Sequence, residues 1–123
     1  MEQGEGGKII TVSSMLSFFG GFTVPAYAAS KGGVAQLTKA LCNEWAGKGI
    51  TVNSLAPGYM ATDMNEALLD PENPRNAEIT GRIPAGRWGT GEDMKGPVIF
   101  LASRASDYLN GAVIPVTGVV WYA

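Results

Sequence analysis

Hydrophobic positions in this chain alternate between short β-branched runs and longer stripes of helical period. Lys8-Ile9-Ile10-Thr11-Val12 is the first run, behind a glycine-rich start, and it predicts a buried strand over 8–12. Residues 17–24 hold Gly20-Gly21 and predict a loop. Val34, Leu37, Thr38, Leu41 and Trp45 then fall at i, i+3, i+4, i+7 and i+11, an amphipathic stripe for packing against a core or a second subunit. Pro25 suits the first turn of that helix, and Gly47-Lys48-Gly49 its end. A second strand follows over 50–56, stopped by Pro57-Gly58. Residues 63–83 predict short helices interrupted at Pro71 and Pro74. A further helix is expected over 92–103, which Pro97 should restart or kink. Val113-Ile114-Pro115-Val116 is a third strand, with Pro115 placing it at a bulge or an edge.

Strands separated by helices imply parallel βαβ units, hence an α/β fold. In such sheets active groups gather beyond the carboxyl ends of the strands. Ser14 follows the first strand, Pro57-Gly58 follows the second, and Tyr27 lies near the start of the intervening helix. All three can then share one crevice.

Composition narrows the chemistry. Apolar residues make up 46% and charged residues 16%, a globular balance. The net charge of −2 carries no clustered basic footprint, so no nucleic-acid partner is expected. Histidine is absent, which excludes a Ser-His-Asp triad, a Cys-His dyad and a His-ligated metal site built from these residues; no metal is expected. The single cysteine, Cys42, can form neither an internal disulfide nor a CxxC site and reads as a buried small apolar residue. Residues 1–7 contain no basic or apolar leader, and the apolar tail over 113–123 is broken by Pro115 and Gly118. A cytoplasmic protein with no membrane contact is the expectation.

Tyr27-Ala28-Ala29-Ser30-Lys31 holds the most informative pair. Four-residue spacing puts both side chains on one helix face. A fixed ammonium beside a phenol favours the phenolate, so a tyrosine placed this way can give or take a proton. A nearby serine hydroxyl, Ser14, can hold the oxygen on which that proton moves. Taken singly, Ser14 is also an ordinary loop cap and Pro57-Gly58 an ordinary strand-ending turn. Arg82 and Arg87 suit a bidentate carboxylate fork, but solvated or structural arginines are the better reading. Trp88, Trp121 and Tyr122 read as core or interface anchors.

The serine of Val12-Ser13-Ser14, Tyr27-x-x-x-Lys31 and Asn53-x-x-x-Pro57-Gly58-x-Met60-x-Thr62 together resemble the short-chain dehydrogenase/reductase family, over nearly all 123 residues. Ala56-Pro57-Gly58-Tyr59-Met60-Ala61-Thr62 and residues 82–89 resemble its sugar-acid branch, the deoxygluconate and gluconate dehydrogenases. The resemblance implies that Tyr27 is the general acid/base, that Lys31 assists it and binds the nicotinamide ribose, and that Ser14 polarises the substrate carbonyl. Pro57, Gly58, Met60 and Thr62 would hold the nicotinamide and pyrophosphate end of NAD or NADP. Residues 63–83 would form the substrate lid. The implied reaction is hydride transfer between a secondary alcohol and a ketone, on a small polyol or sugar acid.

The departures are specific. No glycine-rich phosphate-binding turn follows a strand, since Gly4-Glu5-Gly6-Gly7 precedes the first one. The acidic residue that would select NAD and the family's Asn-Asn-Ala-Gly segment are also missing. The 123 residues are therefore expected to form one partial unit, the C-terminal half of a doubly wound, Rossmann-like parallel sheet lacking the dinucleotide-binding half. Alone, the chain is expected to be inactive, to bind NAD(P) weakly or not at all and to form a homo-oligomer. The alternative is a truncated, non-catalytic form that acts by association with itself or a full-length relative.

Overall fold

A computed structural model describes residues 4–21 and 23–118, apart from the side chain of Met64. Trp121 and Tyr122, read above as anchors, lie outside the described residues. The elements run β1 (Gly7–Val12), α1 (Pro25–Trp45), β2 (Ile50–Pro57), α2 (Glu66–Leu69), α3 (Pro74–Gly81), α4 (Gly91–Ala102) and β3 (Val113–Val116), with 3₁₀ turns at Met15–Ser17, Ala46–Lys48, Asp63–Asn65 and Arg104–Ser106. The sheet order is β1-β2-β3 and both pairings are parallel, with Ile9 opposite Val52 and Leu55 opposite Ile114. This is the parallel α/β architecture that the strand–helix alternation implies.

Burial sorts the strands. Val52 to Ala56 are buried without a break, as a central parallel strand covered on both faces requires. β1 differs from the expectation of a buried strand: among the described residues it pairs only with β2, and Ile9 and Val12 are exposed. Side chains alternate along β1. Thr11 meets Thr38 of α1, and Lys8, on the opposite face, meets Asp107 beyond α4. Helices thus flank the sheet on two sides.

The α1 stripe is also displaced from its sequence reading. Ala35 and Thr38 are the fully buried residues, Leu41 and Trp45 are half-buried, and Leu37 is exposed. Small residues let α1 lie close to the strands, and the Thr38 hydroxyl adds a bond that leucine could not make. Gly49 ends the helical segment in the left-handed conformation, φ 78°, and its N–H bonds the Ala46 carbonyl. Helix α4 runs through Pro97 as one element rather than restarting there.

Asn53 explains the first position of the Asn53-to-Thr62 motif. It is buried in β2, its Nδ2 donates to the Leu109 carbonyl, and its Oδ1 accepts from Ala112 N–H. Asn110 reciprocates, its Oδ1 accepting from Val52 N–H. These amides pin the loop ahead of β3 to β2 before strand pairing begins. Pro115 sits at the sheet edge among the described residues, where a missing N–H costs no ladder bond.

Candidate active site

The two adjacent serines after β1 are divided between scaffold and site. Ser13 is buried; its hydroxyl donates to the Leu55 carbonyl and accepts from Ser54 Oγ. Ser14 caps the 3₁₀ turn Met15–Ser17, and its Oγ accepts from Leu16 N–H at 3.2 Å. Among the described residues the Ser14 hydroxyl proton has no acceptor. Its lone pair serves the backbone while its proton remains available.

Tyr27 and Lys31 occupy the first two turns of α1, with Pro25 at the start where its missing N–H is harmless. The Lys31 ammonium donates to the Val12 carbonyl at 3.0 Å and lies 5.8 Å from the centre of the Tyr27 ring. This tether brings the ammonium to the carboxyl end of β1, two residues before Ser14. Two further Lys31 protons and the Tyr27 hydroxyl have no partner among the described residues. The Tyr27 side chain is open to solvent.

Ser17 connects these pieces. Its Oγ accepts from Ser14 N–H at 3.1 Å and donates to the Lys31 carbonyl at 2.7 Å. Sequence reading assigned Ser17 only to a loop. The visible signal was a serine three residues after a serine, the spacing of a capping box, which this turn forms.

Beyond β2 the chain remains extended. Gly58 N–H donates to the Val116 carbonyl, and a Cβ at Gly58 would stand 2.1 Å from Thr117 Oγ1, so the end of β3 demands this glycine. Met60 forms a parallel bridge to Gly89, through Gly89 N–H to Tyr59 O and Ala61 N–H to Gly89 O. Met60 O accepts from Asn65 Nδ2, whereas Met60 N–H has no acceptor among the described residues. Thr62 is exposed at the start of the next 3₁₀ turn, and its hydroxyl makes no capping bond.

Residues 63–83 form the expected short helices and close over an apolar hub. Ile79 and Ile83 are buried there, against Phe19, Tyr59, Leu68 and Trp88. Phe19 lies between Ser14 and Tyr27 in the chain, so residues 63–83 touch the segment that carries the candidate chemistry. Trp88 stacks obliquely on Tyr59 with ring centres 5.5 Å apart and donates from Nε1 to Thr80 Oγ1. Arg87 is held in a bidentate pair with Asp93 at 2.8 and 2.9 Å, so it is a structural arginine rather than half of a free fork. The Arg87 guanidinium, then the Thr90 N–H, hold the Asp93 carboxyl well below the usual carboxylate range. Among the described residues the Arg82 guanidinium makes only a 4.0 Å contact with Glu78.

Free O–H and N–H groups therefore collect at the carboxyl ends of β1 and β2: Ser14, Tyr27, Lys31, Met60 N–H and Thr62. Such donors suit a ligand rich in hydroxyl, carbonyl and carboxamide oxygens, as the nicotinamide riboside end of a dinucleotide is. A cleft of about 760 Å³ lies at the other end of the sheet, lined by Gly7, Lys8, Gly49, Thr51 and Asp107, and takes in none of these donors. Among the described residues no group of acidic or cysteine side chains is arranged to hold a metal, and no helix is long and apolar enough to cross a membrane.

Comparison with known proteins gives concordant matches. A protein-family model described as enoyl-(acyl carrier protein) reductase matches residues 1–118. The 2-dehydro-3-deoxy-D-gluconate 5-dehydrogenase of Escherichia coli K12 is 58% identical over 116 residues, covering 94% of this chain and 46% of that protein. The enzyme of the same name from Pseudoalteromonas atlantica is 57% identical over 114 residues, covering 93% of this chain and 44% of its own length. The crystal structure of a gluconate 5-dehydrogenase from Burkholderia cenocepacia, in complex with NADP and tartrate, superposes with a TM-score of 0.89 at 45% identity, covering 95% of this chain and 45% of that one. The chain spans about half the length of the curated relatives it matches.

Proposed function

The chain belongs to the short-chain dehydrogenase/reductase family, and on that footing we propose that it carries the proton-transfer half of an NAD(P)-dependent oxidoreductase. The reaction interconverts a secondary alcohol and a ketone on a sugar acid. The carrying observation is the set of polar hydrogens on Ser14, Tyr27 and Lys31 without an acceptor among the described residues, gathered by the Lys31 tether to the end of β1. The names of the relatives, which are gluconate and deoxygluconate dehydrogenases, support the substrate class.

In the reductive direction the Tyr27 hydroxyl gives its proton to the carbonyl oxygen, and in the oxidative direction it takes that proton back. Ser14 donates its free hydroxyl proton to the same oxygen and stabilises charge as it develops there. Lys31 keeps one N–H on the Val12 carbonyl and offers the others to the ribose hydroxyls and to the neighbourhood of Tyr27. Pro57, Gly58, Met60 and Thr62 line the nicotinamide end, with Met60 N–H matched to a carboxamide oxygen. The dinucleotide, when bound, supplies or takes up the hydride. Residues 63–83 cover the substrate.

The test is turnover of 2-dehydro-3-deoxy-D-gluconate with each nicotinamide dinucleotide in the intact parent enzyme. Tyr27→Phe is expected to cost at least roughly a hundredfold, with dinucleotide binding retained. Turnover within a few-fold of wild type would remove Tyr27 from this role. The 123-residue chain by itself is expected to bind NAD(H) or NADP(H) weakly, because no glycine-rich phosphate turn follows its strands; micromolar affinity by calorimetry would contradict this. A second reading, a non-catalytic chain that associates with itself or a full-length relative, is favoured by one observation. Ile9 and Val12 on β1, and Val98, Ile99 and Phe100 on α4, stand exposed. Light scattering that reports a monomer at high micromolar concentration would count against it.

A further inference from the structure

We propose that Ser17 is a positioning residue that sets the distance between the Ser14 hydroxyl and the Tyr27–Lys31 pair. The proposal rests on the reading that those three groups carry the hydride-transfer chemistry. Ser14 lies on a 3₁₀ turn after β1, and Tyr27 and Lys31 lie on α1, with the loop over 18–24 between them. Such a loop is too long to fix the separation by itself. Two short bonds from one hydroxyl do fix it. Ser14 N–H can only donate and the Lys31 carbonyl can only accept, so the Ser17 hydroxyl is fully specified: a lone pair toward Ser14 at 3.1 Å and its proton toward Lys31 at 2.7 Å.

A capping box accounts for the first bond, since Ser14 and Ser17 cap the 3₁₀ turn reciprocally. It does not account for the second, which reaches fourteen residues along the chain to the backbone of the lysine itself. The Lys31 side chain closes the loop from its other end, through Nζ to the Val12 carbonyl at 3.0 Å. Residue 31 is thereby held at both backbone and side chain to the segment that presents Ser14. Chemistry that needs a donor on each side of one oxygen is sensitive to that spacing.

Ser17→Ala removes both bonds without altering a group that touches substrate. In the intact parent enzyme, kcat for 2-dehydro-3-deoxy-D-gluconate should fall roughly ten- to a hundredfold, the scale of a small misplacement. The dinucleotide KM should stay within about twofold, because the Lys31 ammonium keeps its own bond to the Val12 carbonyl, and the melting temperature within a few degrees, because Ser17 lies outside the core. Ser17→Thr, which keeps the hydroxyl, should recover most of kcat. In the 123-residue chain, the Ser14 amide should exchange with solvent faster in Ser17→Ala than in wild type, and Ser17→Thr should restore its protection. A Ser17→Ala enzyme within about threefold of wild type overturns the proposal. So does a threonine variant no better than alanine, or an unchanged Ser14 amide. Tyr27→Phe measured beside these variants separates the two claims: if it keeps turnover the proton-transfer reading fails, and the exchange rates still decide whether Ser17 holds Ser14.

Discussion

Beneath Ser14 and Lys31 the elements meet through hydroxyl groups, whereas residues 63–83 meet their neighbours through apolar side chains. In the first region Thr11 Oγ1 lies 2.7 Å from Thr38 Oγ1, Thr38 donates to the Val34 carbonyl, and Ser54 Oγ reaches Ser13 Oγ at 2.9 Å. In the second, Ile79 and Ile83 gather Phe19, Tyr59, Leu68 and Trp88. Hydrogen bonds are directional and costly to leave unmade inside a protein, so a hydroxyl-lined junction has few alternative arrangements. Apolar packing rewards burial at many orientations. The proposed proton-transfer role would benefit from the first property, and the proposed covering of substrate by residues 63–83 from the second. Local amide bonds give residues 63–83 their own internal order: Asn73 Nδ2 donates to the Ala67 carbonyl and Asn76 Nδ2 to that of Leu68, lashing α2 to α3.

Cutting the hub should have the largest effect on stability. Ile79 is 1% exposed, and Ile79→Ala is expected to destabilise the fold by about 2–5 kcal/mol, read from the urea midpoint. If the contrast and the proposed activity hold, a full-length enzyme should respond mainly through a raised substrate KM, because Ile79 takes no part in the hydrogen bonds among Ser14, Ser17 and Lys31; a selective collapse of kcat would break it. Thr38→Val probes the frame instead. It removes a fully buried hydroxyl and leaves Thr11 with only a 3.4 Å bond to the Asn53 carbonyl. The expected cost is about 1–2 kcal/mol, with kcat falling more than KM rises. Equal effects of both variants on both constants would show that the two regions act as one.

The smallest effect should come from Asp93→Asn, in the first turn of α4. The folded carboxyl titrates below its ordinary value, so the contribution of the Arg87–Asp93 pair is fully present above about pH 4 and is lost as pH falls below it. Asp93→Asn should therefore lower the melting temperature at neutral pH. The gap from wild type should close in acid. A gap that stays constant down to about pH 2 would mean that the charge on Asp93 is not what stabilises the turn.

Much of the site was legible in the sequence because its signals are local. Tyr27 and Lys31 share a face through helical spacing, Pro25 and Gly49 mark the helical segment, and Pro57-Gly58 ends a strand. Each depends on residues within a few positions of one another. Residues 63–83 were legible as short helices for the same reason. What was misread depends on partners far along the chain. β1 looked as buried as β2, but burial belongs to the number of neighbouring strands, and β1 has one among the described residues. Leu37 matched the stripe, yet Thr38 took the buried place because a hydroxyl of β1 stands opposite.

Composition and spacing by themselves determined the α/β class and the strand–helix order, since periodicity is a property of the chain, and only together with the family resemblance did they single out Ser14, Tyr27 and Lys31 as candidates. Tertiary structure alone decided which of two adjacent serines has a hydroxyl proton without an acceptor among the described residues, that Arg87 pairs with Asp93, and that Asn53 clamps a loop more than fifty residues away. It also decided that Ser17 joins the serine turn to the lysine helix. A hydrogen bond is made by distance and angle in space, and two residues that make one leave no periodic trace in the sequence between them.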